Sequence, residues 1–461
     1  MAPKPLHIPR SQLPRLLLRN PGAKSTELAA LAQVSTPTMV RMLNELGPEV
    51  LRLGKARGTG YFLRRSLRGL NGSFAVYAVN QEGLASPVGR LDMIAPRGTV
   101  LDVAAMGWPI EPEFAQGVWP DGLPYPLQDM KPQGFLGRQF ARMESRALGV
   151  SPNPKEWSDD DVLHVLLTLG TDTSGNLILG DAALHLWLES KARAQVVFSE
   201  DRLPAAYAAC AAQASAGGVA GSSAGGEFPK FTALRELPGA QTQHVIVKFS
   251  ADDRSATVQR WSDLLVCEHL ALQAIRAIAG IRSADSRVLQ QGGRTFLEVE
   301  RFDRHGLFGR SPLCSLDTLE AALLPGSSKD WGDAGEKMQA QGWLGDGSIE
   351  QLRTIWAFGK LIANTDMHKG NLSFVPGPTL QVAPVYDMLP MAYAPMAGGE
   401  IPNTQYAPGL PAPQDRGAWL VAAQAAQQFW DTAMQDQRIS AAFRAVCKTN
   451  LQELRRLLPL A

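Results

Sequence analysis

Residues 362–374 read Ile-Ala-Asn-Thr-Asp-Met-His-Lys-Gly-Asn-Leu-Ser-Phe, and residues 383–387 read Ala-Pro-Val-Tyr-Asp. Asp366 and Asn371 are five residues apart on a short polar loop with apolar flanks, and Asp387 ends the second apolar run. Phosphoryl transfer from ATP needs a carboxylate that orients the attacking hydroxyl, together with an amide oxygen and a second carboxylate that hold magnesium. The spacing matches these needs, but Asp and Asn are common loop residues, so the remaining chain must decide.

A strand lysine and a helix glutamate precede this loop. Residues 243–250 are mostly apolar around Lys248, and lysine is rarely buried unless an anion pairs with it. Glu268 follows twenty residues later on a helix predicted over residues 261–281. In protein kinases the strand lysine pairs with a glutamate of the next helix at about this interval. Lys248 on an edge strand and Glu268 on a solvated helix face are the alternatives.

Residues 210–226 are dense in Ala, Gly and Ser, which predicts a mobile segment. It is either a plain linker or a glycine-rich loop whose backbone N–H groups approach phosphates. In the second interpretation Ser222 and Ser223 are hydroxyl acceptors. Residues 295–304 predict a strand that leads into a polar turn, where a hinge contacting adenine would lie.

The N-terminal 70 residues predict a winged helix-turn-helix. Two short helices over residues 25–32 and 36–44 are separated by a turn, and two strands follow around a basic, Gly-rich tip. This is the layout of a recognition helix in the major groove with a wing on the phosphates. The alternative is a helical adaptor that packs on the rest of the chain. The predicted DNA contacts are Thr36, Thr38, Arg41 and Asn44 on the second helix, and Lys55 and Arg57 at the tip.

Charge is distributed unevenly along the 461 residues. The net charge is +1, yet residues 1–70 hold twelve Lys or Arg against three Asp or Glu, an excess of nine. Such a basic end predicts a polyanion partner, with a merely solvated terminus as the alternative. The four cysteines are far apart and indicate neither a zinc site nor a disulfide framework. We expect no membrane span and a cytoplasmic protein, because no apolar run approaches ~18 residues and no signal-peptide core is present.

These motifs occur in a fixed order: Gly-rich loop, Lys248, Glu268, residues 300–304, residues 364–371 and Tyr386-Asp387. Together they resemble the HipA family of bacterial serine/threonine kinase toxins over residues 72–460. The resemblance implies that Asp366 is the catalytic base, that Asn371 and Asp387 bind Mg²⁺, and that ATP is the cofactor. The implied nucleotide-binding set is Lys248, Glu268, Glu300, Phe302 and His368, with backbone groups of Glu300 and Phe302 contacting adenine and with Ser222 or Ser223 as the autophosphorylation site.

The resemblance also implies an α/β (α+β) fold with two kinase-like lobes. We expect a winged helix-turn-helix over residues 1–70, an N-terminal lobe with a small β-rich subdomain over residues 71–305, and a mainly helical C-terminal lobe over residues 306–461. Members of the family usually rely on a separate antitoxin to bind DNA, whereas this chain carries its own predicted DNA-binding unit. A further departure is the loop sequence before the lysine strand, Ser-Ala-Gly-Gly-Glu-Phe-Pro-Lys over residues 223–230.

Three functions remain open from the sequence. The first is a toxin-antitoxin kinase that phosphorylates Ser or Thr of a protein substrate and binds double-stranded DNA, with an antitoxin as a further partner. The second is a DNA-binding nuclease in which Asp366, His368, Asn371 and Asp387 hold a metal that activates water. The third is a non-catalytic transcriptional regulator. A pair between Lys248 and Glu268 favours the kinase, because a nuclease has no use for it.

Overall fold

The structure is a computed structural model that describes residues 10–216 and 228–461. Its first unit contains α1 (Leu13–Arg19), α2 (Ser25–Ala32), α3 (Thr36–Glu45), β1 (Val50–Leu53) and β2 (Gly60–Leu63). The hydroxyl of Ser35 accepts the backbone N–H of Thr38 at 3.3 Å and so caps α3. The carboxylate of Glu27 accepts the backbone N–H of Lys24 at 2.9 Å at the start of α2. The strands β1 and β2 form an antiparallel hairpin.

The hairpin continues into a second, β-rich unit. That unit contains β3 (Ser73–Val79), β4 (Ala85–Met93), β5 (Thr99–Val100), β6 (Val118–Trp119), α4 (Gly134–Leu148), α5 (Asp159–Leu169), β7 (Leu177–Leu179) and α6 (Asp181–Ala192). Its sheet has the order β6-β5-β4-β3-β7. The N–H of Ala95 donates to the carbonyl of Leu63 at 2.8 Å, and the N–H of Arg65 donates to the carbonyl of Met93 at 3.1 Å. Main-chain hydrogen bonds therefore join the first unit to the second.

A second sheet of order β11-β12-β10-β9-β8 follows. Its elements are β8 (Val197–Phe198), α7 (Leu203–Ala216), β9 (Lys230–Arg235), β10 (His244–Phe249), α8 (Ala256–Arg276), β11 (Ser286–Gln291) and β12 (Arg294–Glu300). The hydroxyl of Ser255 accepts the N–H of Val258 at 3.2 Å, so α8 begins five residues before the start predicted from its apolar periodicity. Helix α8 packs against β11, β12 and a later helix, and is buried on most sides.

The remaining chain is mainly helical. It contains β13 (Arg304–His305), β14 (Gly309–Arg310), β15 (Cys314–Ser315), α9 (Leu316–Leu323), α10 (Trp331–Ala340), α11 (Ser348–Leu361), β16 (Ser373–Val375), β17 (Gln381–Val382), α12 (Arg416–Gln435) and α13 (Ala441–Leu457). Helices α8, α11, α12 and α13 surround a core that includes Phe358, Phe429 and Trp430. The mixed α/β composition predicted from sequence is confirmed. In the described part of the chain, no helix has the length and apolar character needed to cross a membrane.

One prediction of the sequence analysis was wrong in part. Residues 210–216, assigned to the mobile segment, form the last two turns of α7. Alanine has the highest helix propensity, so a run of alanines extends a helix that starts at Leu203. The side chains of Leu203, Tyr207 and Ala211 are buried and fix this helix on the second sheet. Ser222 and Ser223 lie outside the described residues.

Candidate active site

Lys248 lies on the central strand β10 and is almost fully buried, at 6 % exposure. Its ammonium donates to both carboxylate oxygens of Glu268 on α8, at 2.7 and 2.8 Å. It also donates to the carboxylate of Asp387, which is 139 residues away in the chain. The lysine is therefore a buried cation held between two carboxylates, and the edge-strand alternative is excluded.

The three charges shift one another's ionisation. Burial alone would lower the pKa of Lys248, but the carboxylates of Asp387 and Glu268 outweigh burial and raise it above its usual value. Burial would raise the pKa of Asp387, but the Lys248 ammonium lowers it to about 2. Burial raises the pKa of Glu268 despite the lysine, and the charge of Asp387 adds to that rise. Asp387 is therefore the better ionised carboxylate of the two.

Asp387 also has an unusual backbone. Its φ of 55° lies in the left-handed region, as does the φ of 59° at Ala363 before the polar loop. Such a conformation costs a non-glycine residue about 1–3 kcal/mol and persists only where the surroundings enforce it. The pair with Lys248 supplies one such constraint at Asp387. The carboxylate remains about one-third exposed, so it faces both the lysine and the outside of the cluster.

The polar loop after α11 is organised by its own amides. The side-chain oxygen of Asn364, which is buried, accepts the backbone N–H of Asp366 at 2.9 Å. The amide nitrogen of Asn371 donates to the backbone carbonyl of Asp366 at 2.9 Å. These bonds leave the carboxylate of Asp366 about half exposed, at 52 %. The loop thus holds the backbone of Asp366 in place while presenting its carboxylate outwards.

His368 and Tyr386 connect this loop to its surroundings. The Nδ1 atom of His368 accepts the N–H of Gly370 at 3.1 Å, and its Nε2 atom is 3.9 Å from the Asp366 carboxylate. The hydroxyl of Tyr386 donates to the carbonyl of Gly370 at 2.8 Å. The ring of Tyr386 packs against Phe302, with centroids 5.6 Å apart. The predicted hinge and the predicted catalytic loop therefore meet at Tyr386, beside Asp387.

Glu300 is already engaged within the sheet. Its backbone N–H donates to the carbonyl of Asp285 at 2.8 Å, and its carboxylate accepts from the guanidinium of Arg235 at 2.5 Å. Arg235 is buried and also bonds Glu298 at 2.9 Å. Both of these groups of Glu300 therefore have partners within the protein.

Sequence reasoning missed two lysines near this site. Lys230 lies opposite Lys248 in the β9–β10 register, and its positive charge contributes, after that of Lys248, to the low pKa of Asp387. Lys369 belongs to the polar loop itself and pairs with Glu320 of α9. The strand pattern around residue 230 offered a signal, since a lysine stands one strand away from the predicted phosphate-binding lysine. For Lys369 the signal was its place between Asp366 and Asn371.

The residues predicted to contact DNA are separate from this site. On α3, Arg41 is exposed, Thr36 is half-buried, and the hydroxyl of Thr38 bonds that of Ser35 at 2.8 Å. The side-chain oxygen of Asn44 accepts from Arg52 of β1, a contact that the sequence did not indicate. Lys55 is exposed at the hairpin tip, and the side chain of Arg57 lies outside the described part of the structure.

The oxygen donors of Asn371 and Asp387 suit a hard cation. Mg²⁺ typically takes one or two carboxylates and completes its shell with waters and substrate phosphates. Because the NH₂ of Asn371 is donated to Asp366, its amide oxygen points away from that bond. Within residues 10–216 and 228–461, no group of three or more His, Cys, Asp or Glu side chains could hold a metal ion.

Two segments of the chain match known protein families. Residues 70–188 match the middle domain of YjjJ-like toxins, and residues 222–454 match the HipA-like C-terminal domain. Toxin YjjJ of Escherichia coli (strain K12) is 37% identical over 451 residues, which cover 97% of this chain and 98% of that protein. The chain belongs to the YjjJ-like toxins. The family resemblance predicted from the motif order is thereby confirmed.

A solved structure agrees in fold with this YjjJ-like toxin. HipA of Shewanella oneidensis MR-1, in a complex of HipA, HipB and operator DNA, matches with a TM-score of 0.50 and 15% identity. The match covers 84% of this chain and 97% of the HipA chain. At this identity the likeness shows a HipA-like fold.

Proposed function

We propose that this YjjJ-like toxin is a serine/threonine protein kinase that uses ATP and Mg²⁺. The observation that carries the proposal is the buried cluster of Lys248, Glu268 and Asp387. A strand lysine paired with a helix glutamate next to a metal-binding aspartate is the arrangement that kinases use to hold ATP phosphates. The nuclease alternative has no role for a lysine that two carboxylates neutralise, so the kinase is the better supported function.

The proposed roles follow from the geometry. Asp366, with its exposed carboxylate, would accept the proton of the substrate hydroxyl as that oxygen bonds to the γ-phosphorus of ATP and the bond to the leaving group, ADP, breaks. Asn371 and Asp387 hold Mg²⁺, which when bound neutralises charge on the phosphates. Lys248, oriented by Glu268, would contact the phosphates of a bound nucleotide. Phe302, Tyr386 and His368 would contact the nucleotide, with Phe302 and Tyr386 offering aromatic surface to adenine.

A loop serine is the proposed site of autophosphorylation. Ser222 or Ser223 would carry roughly −1.5 to −2 charge after modification, and repulsion from the ATP phosphates would hold the loop out of the site. Mass spectrometry of the wild-type reaction product distinguishes the two serines. We also propose the domain boundaries given above, at residues 70/71 and 305/306.

The change Asp387→Asn tests the proposed kinase directly. Asparagine tolerates a positive φ, so the backbone at residue 387 is retained, while the carboxylate that binds the cation is lost. Lys248 keeps its pair with Glu268, so the fold should persist. We expect incorporation of phosphate from γ-labelled ATP to fall to background and Mg²⁺-dependent stabilisation by ATP to disappear. Asp346→Asn, an exposed site away from the cluster, is the control. Undiminished phosphate incorporation by Asp387→Asn would contradict the proposed role of Asp387 as a cation ligand.

We further propose that residues 1–70 bind double-stranded DNA. The support is the basic excess of nine, the capped α3 with Arg41 exposed, and the hairpin with Lys55 at its tip. Arg41 and Asn44 would read base edges, with Arg52 orienting the Asn44 amide, whereas Lys55 would contact phosphate. An antitoxin is proposed as a further partner.

Substitution of Lys55 should change the salt dependence of DNA binding. Each phosphate neutralised contributes about 0.9 to the slope of log K against log salt, so Lys55→Ala should reduce that slope by about 0.9 for any duplex. Fluorescence titrations of a labelled duplex at several salt concentrations measure the slope. Lys155→Ala, an exposed lysine of the β-rich unit, should leave it unchanged. Equal slopes for wild type and Lys55→Ala would favour the adaptor interpretation.

A further inference from the structure

The start of helix α9 is hydrogen-bonded to the C-terminal end of the polar loop. The backbone N–H of Leu316, the first residue of α9, donates to the carbonyl of Leu372 at 2.8 Å. Strand β15, which leads into α9, pairs with β16, which leaves the loop, through Ser315 opposite Ser373. The C-terminal end of the loop is therefore fixed to the start of α9 by main-chain hydrogen bonds.

An ion pair with one buried partner contacts the same loop at its centre. Glu320 lies on α9 and is 8 % exposed, and its Oε1 atom accepts from the ammonium of Lys369. The same oxygen accepts the backbone N–H of Ser328 at 3.1 Å. Lys369 also donates to the hydroxyl of Ser327 at 2.9 Å. Lys369 is about one-quarter exposed, so Glu320 is the buried partner of the pair.

Asp129 of the β-rich unit contacts the first turn of α9. The carboxylate of Asp129 accepts the N–H of Ser315 at 2.6 Å, the hydroxyl of Ser315 at 2.7 Å and the hydroxyl of Thr318 at 2.9 Å. Asp129 belongs to the segment matched by the family's middle domain. The carboxylate of Asp129 thus accepts three hydrogen bonds from the start of α9, and these bonds hold its first turn in place. Contacts therefore run from Asp129 through α9 and Glu320 to Lys369.

We infer that Glu320 is a positioning residue of the polar loop, acting through Lys369, and that Asp129 of the middle domain sets its position. Lys369 lies between Asp366 and Asn371, so the ion pair fixes the centre of the segment that presents both. The kinetic part of this inference rests on the proposed kinase function. The structural part, that Glu320 orders the loop, does not depend on it.

A double-mutant cycle with Glu320→Gln and Lys369→Met tests the inference. Small displacements of a catalytic group lower the rate more than they weaken binding. Each single change should therefore lower kcat about 10- to 100-fold with KM for ATP within about twofold of wild type. The double variant should be no slower than the slower single variant, since both changes remove the same contact. Additive losses, or a change in KM alone, would contradict the inference.

Hydrogen–deuterium exchange provides a readout that needs no activity. Backbone amides of residues 364–374 should exchange faster in Glu320→Gln, and Asp129→Asn should shift them in the same direction. The control is Glu336→Gln, which removes a surface pair with Arg353 between α10 and α11. Unchanged exchange in Glu320→Gln overturns the inference. An inactive wild type with faster exchange in the variant overturns the proposed kinase and leaves the ordering role of Glu320 supported.

Discussion

The change Asp366→Asn should abolish phosphate transfer while leaving nucleotide binding intact. General-base catalysis contributes typically 10²–10⁴-fold, so the rate of transfer should fall by about that factor. The fold should not suffer, because the carboxylate is half exposed and the bond from Asn364 is made to the backbone N–H, which asparagine retains. ATP with Mg²⁺ should therefore protect wild type and variant equally against thermal unfolding.

Measurement of both quantities on the same samples separates chemistry from binding. Transfer is followed with γ-labelled ATP in single-turnover conditions, and binding is followed by the shift in unfolding temperature. Asp346→Asn again serves as the exposed control. If Asp366→Asn transfers phosphate at the wild-type rate, another group is the base. If it loses the thermal shift, Asp366 contributes to nucleotide or cation binding.

Removal of the buried lysine should have the largest effect on stability. Lys248→Met leaves Glu268, 1 % exposed, and Asp387 without their shared cation. Breaking a buried pair in this way costs about 3–5 kcal/mol, because an uncompensated charge stays behind. From the sequence alone, loss of this lysine is expected to weaken nucleotide binding without unfolding the chain. The observed cluster changes that expectation to a marked loss of folding free energy.

The free energy of unfolding of Lys248→Met should depend on pH. In Lys248→Met, burial and the charge of Asp387 both raise the pKa of Glu268, and the lysine no longer opposes them. The folded variant then binds a proton more readily than the unfolded chain, so its stability should increase as the pH falls towards the ordinary pKa range of a carboxyl group. Asp387 is the carboxylate that ionises more readily of the two, because it is about one-third exposed and the positive charge of Lys230 still lowers its pKa.

Urea unfolding of wild type, Lys248→Met and the double variant Lys248→Met/Glu268→Gln measures the effect. The double variant should recover much of the loss, since it removes the unpaired charge together with the lysine. A stability loss that is independent of pH and is not recovered by Glu268→Gln would show that packing around residue 248, rather than charge, is responsible.

Local patterns in the sequence were sufficient for the order of elements and for the choice of family. Capping residues, apolar periodicity and turn residues act within a few positions, so the start of α3, with Ser35 or Thr36 as its cap, and two strands over residues 50–65 could be placed. The strand containing Lys248 and the helix containing Glu268 are adjacent in the chain, and a known interval suggested that their side chains meet.

Contacts between distant segments could not be predicted in this way. The bond from Lys248 to Asp387 spans 139 residues, and that from Asp129 to Ser315 spans 186. No periodicity links such positions, because they are brought together only when the sheets and helices pack. The contact between Arg52 and Asn44 could not be predicted either, although only eight residues separate them, because it depends on how β1 packs beside α3.

The main-chain hydrogen bonds between the first unit and the β-rich unit limit how this protein can be re-engineered. Residues 63–65 pair with residues 93–95, the guanidinium of Arg65 holds Asp160 through two bonds of 2.7 Å, and Phe62 packs against Ile94. A chimaera joined at residue 70 would remove these contacts between the first unit and the β-rich unit, and it would expose apolar surface on both units. If residues 1–70 bind DNA as proposed, a new DNA specificity is better introduced by changing side chains on the outer face of α3, with residues 50–72 and their partners left as they are.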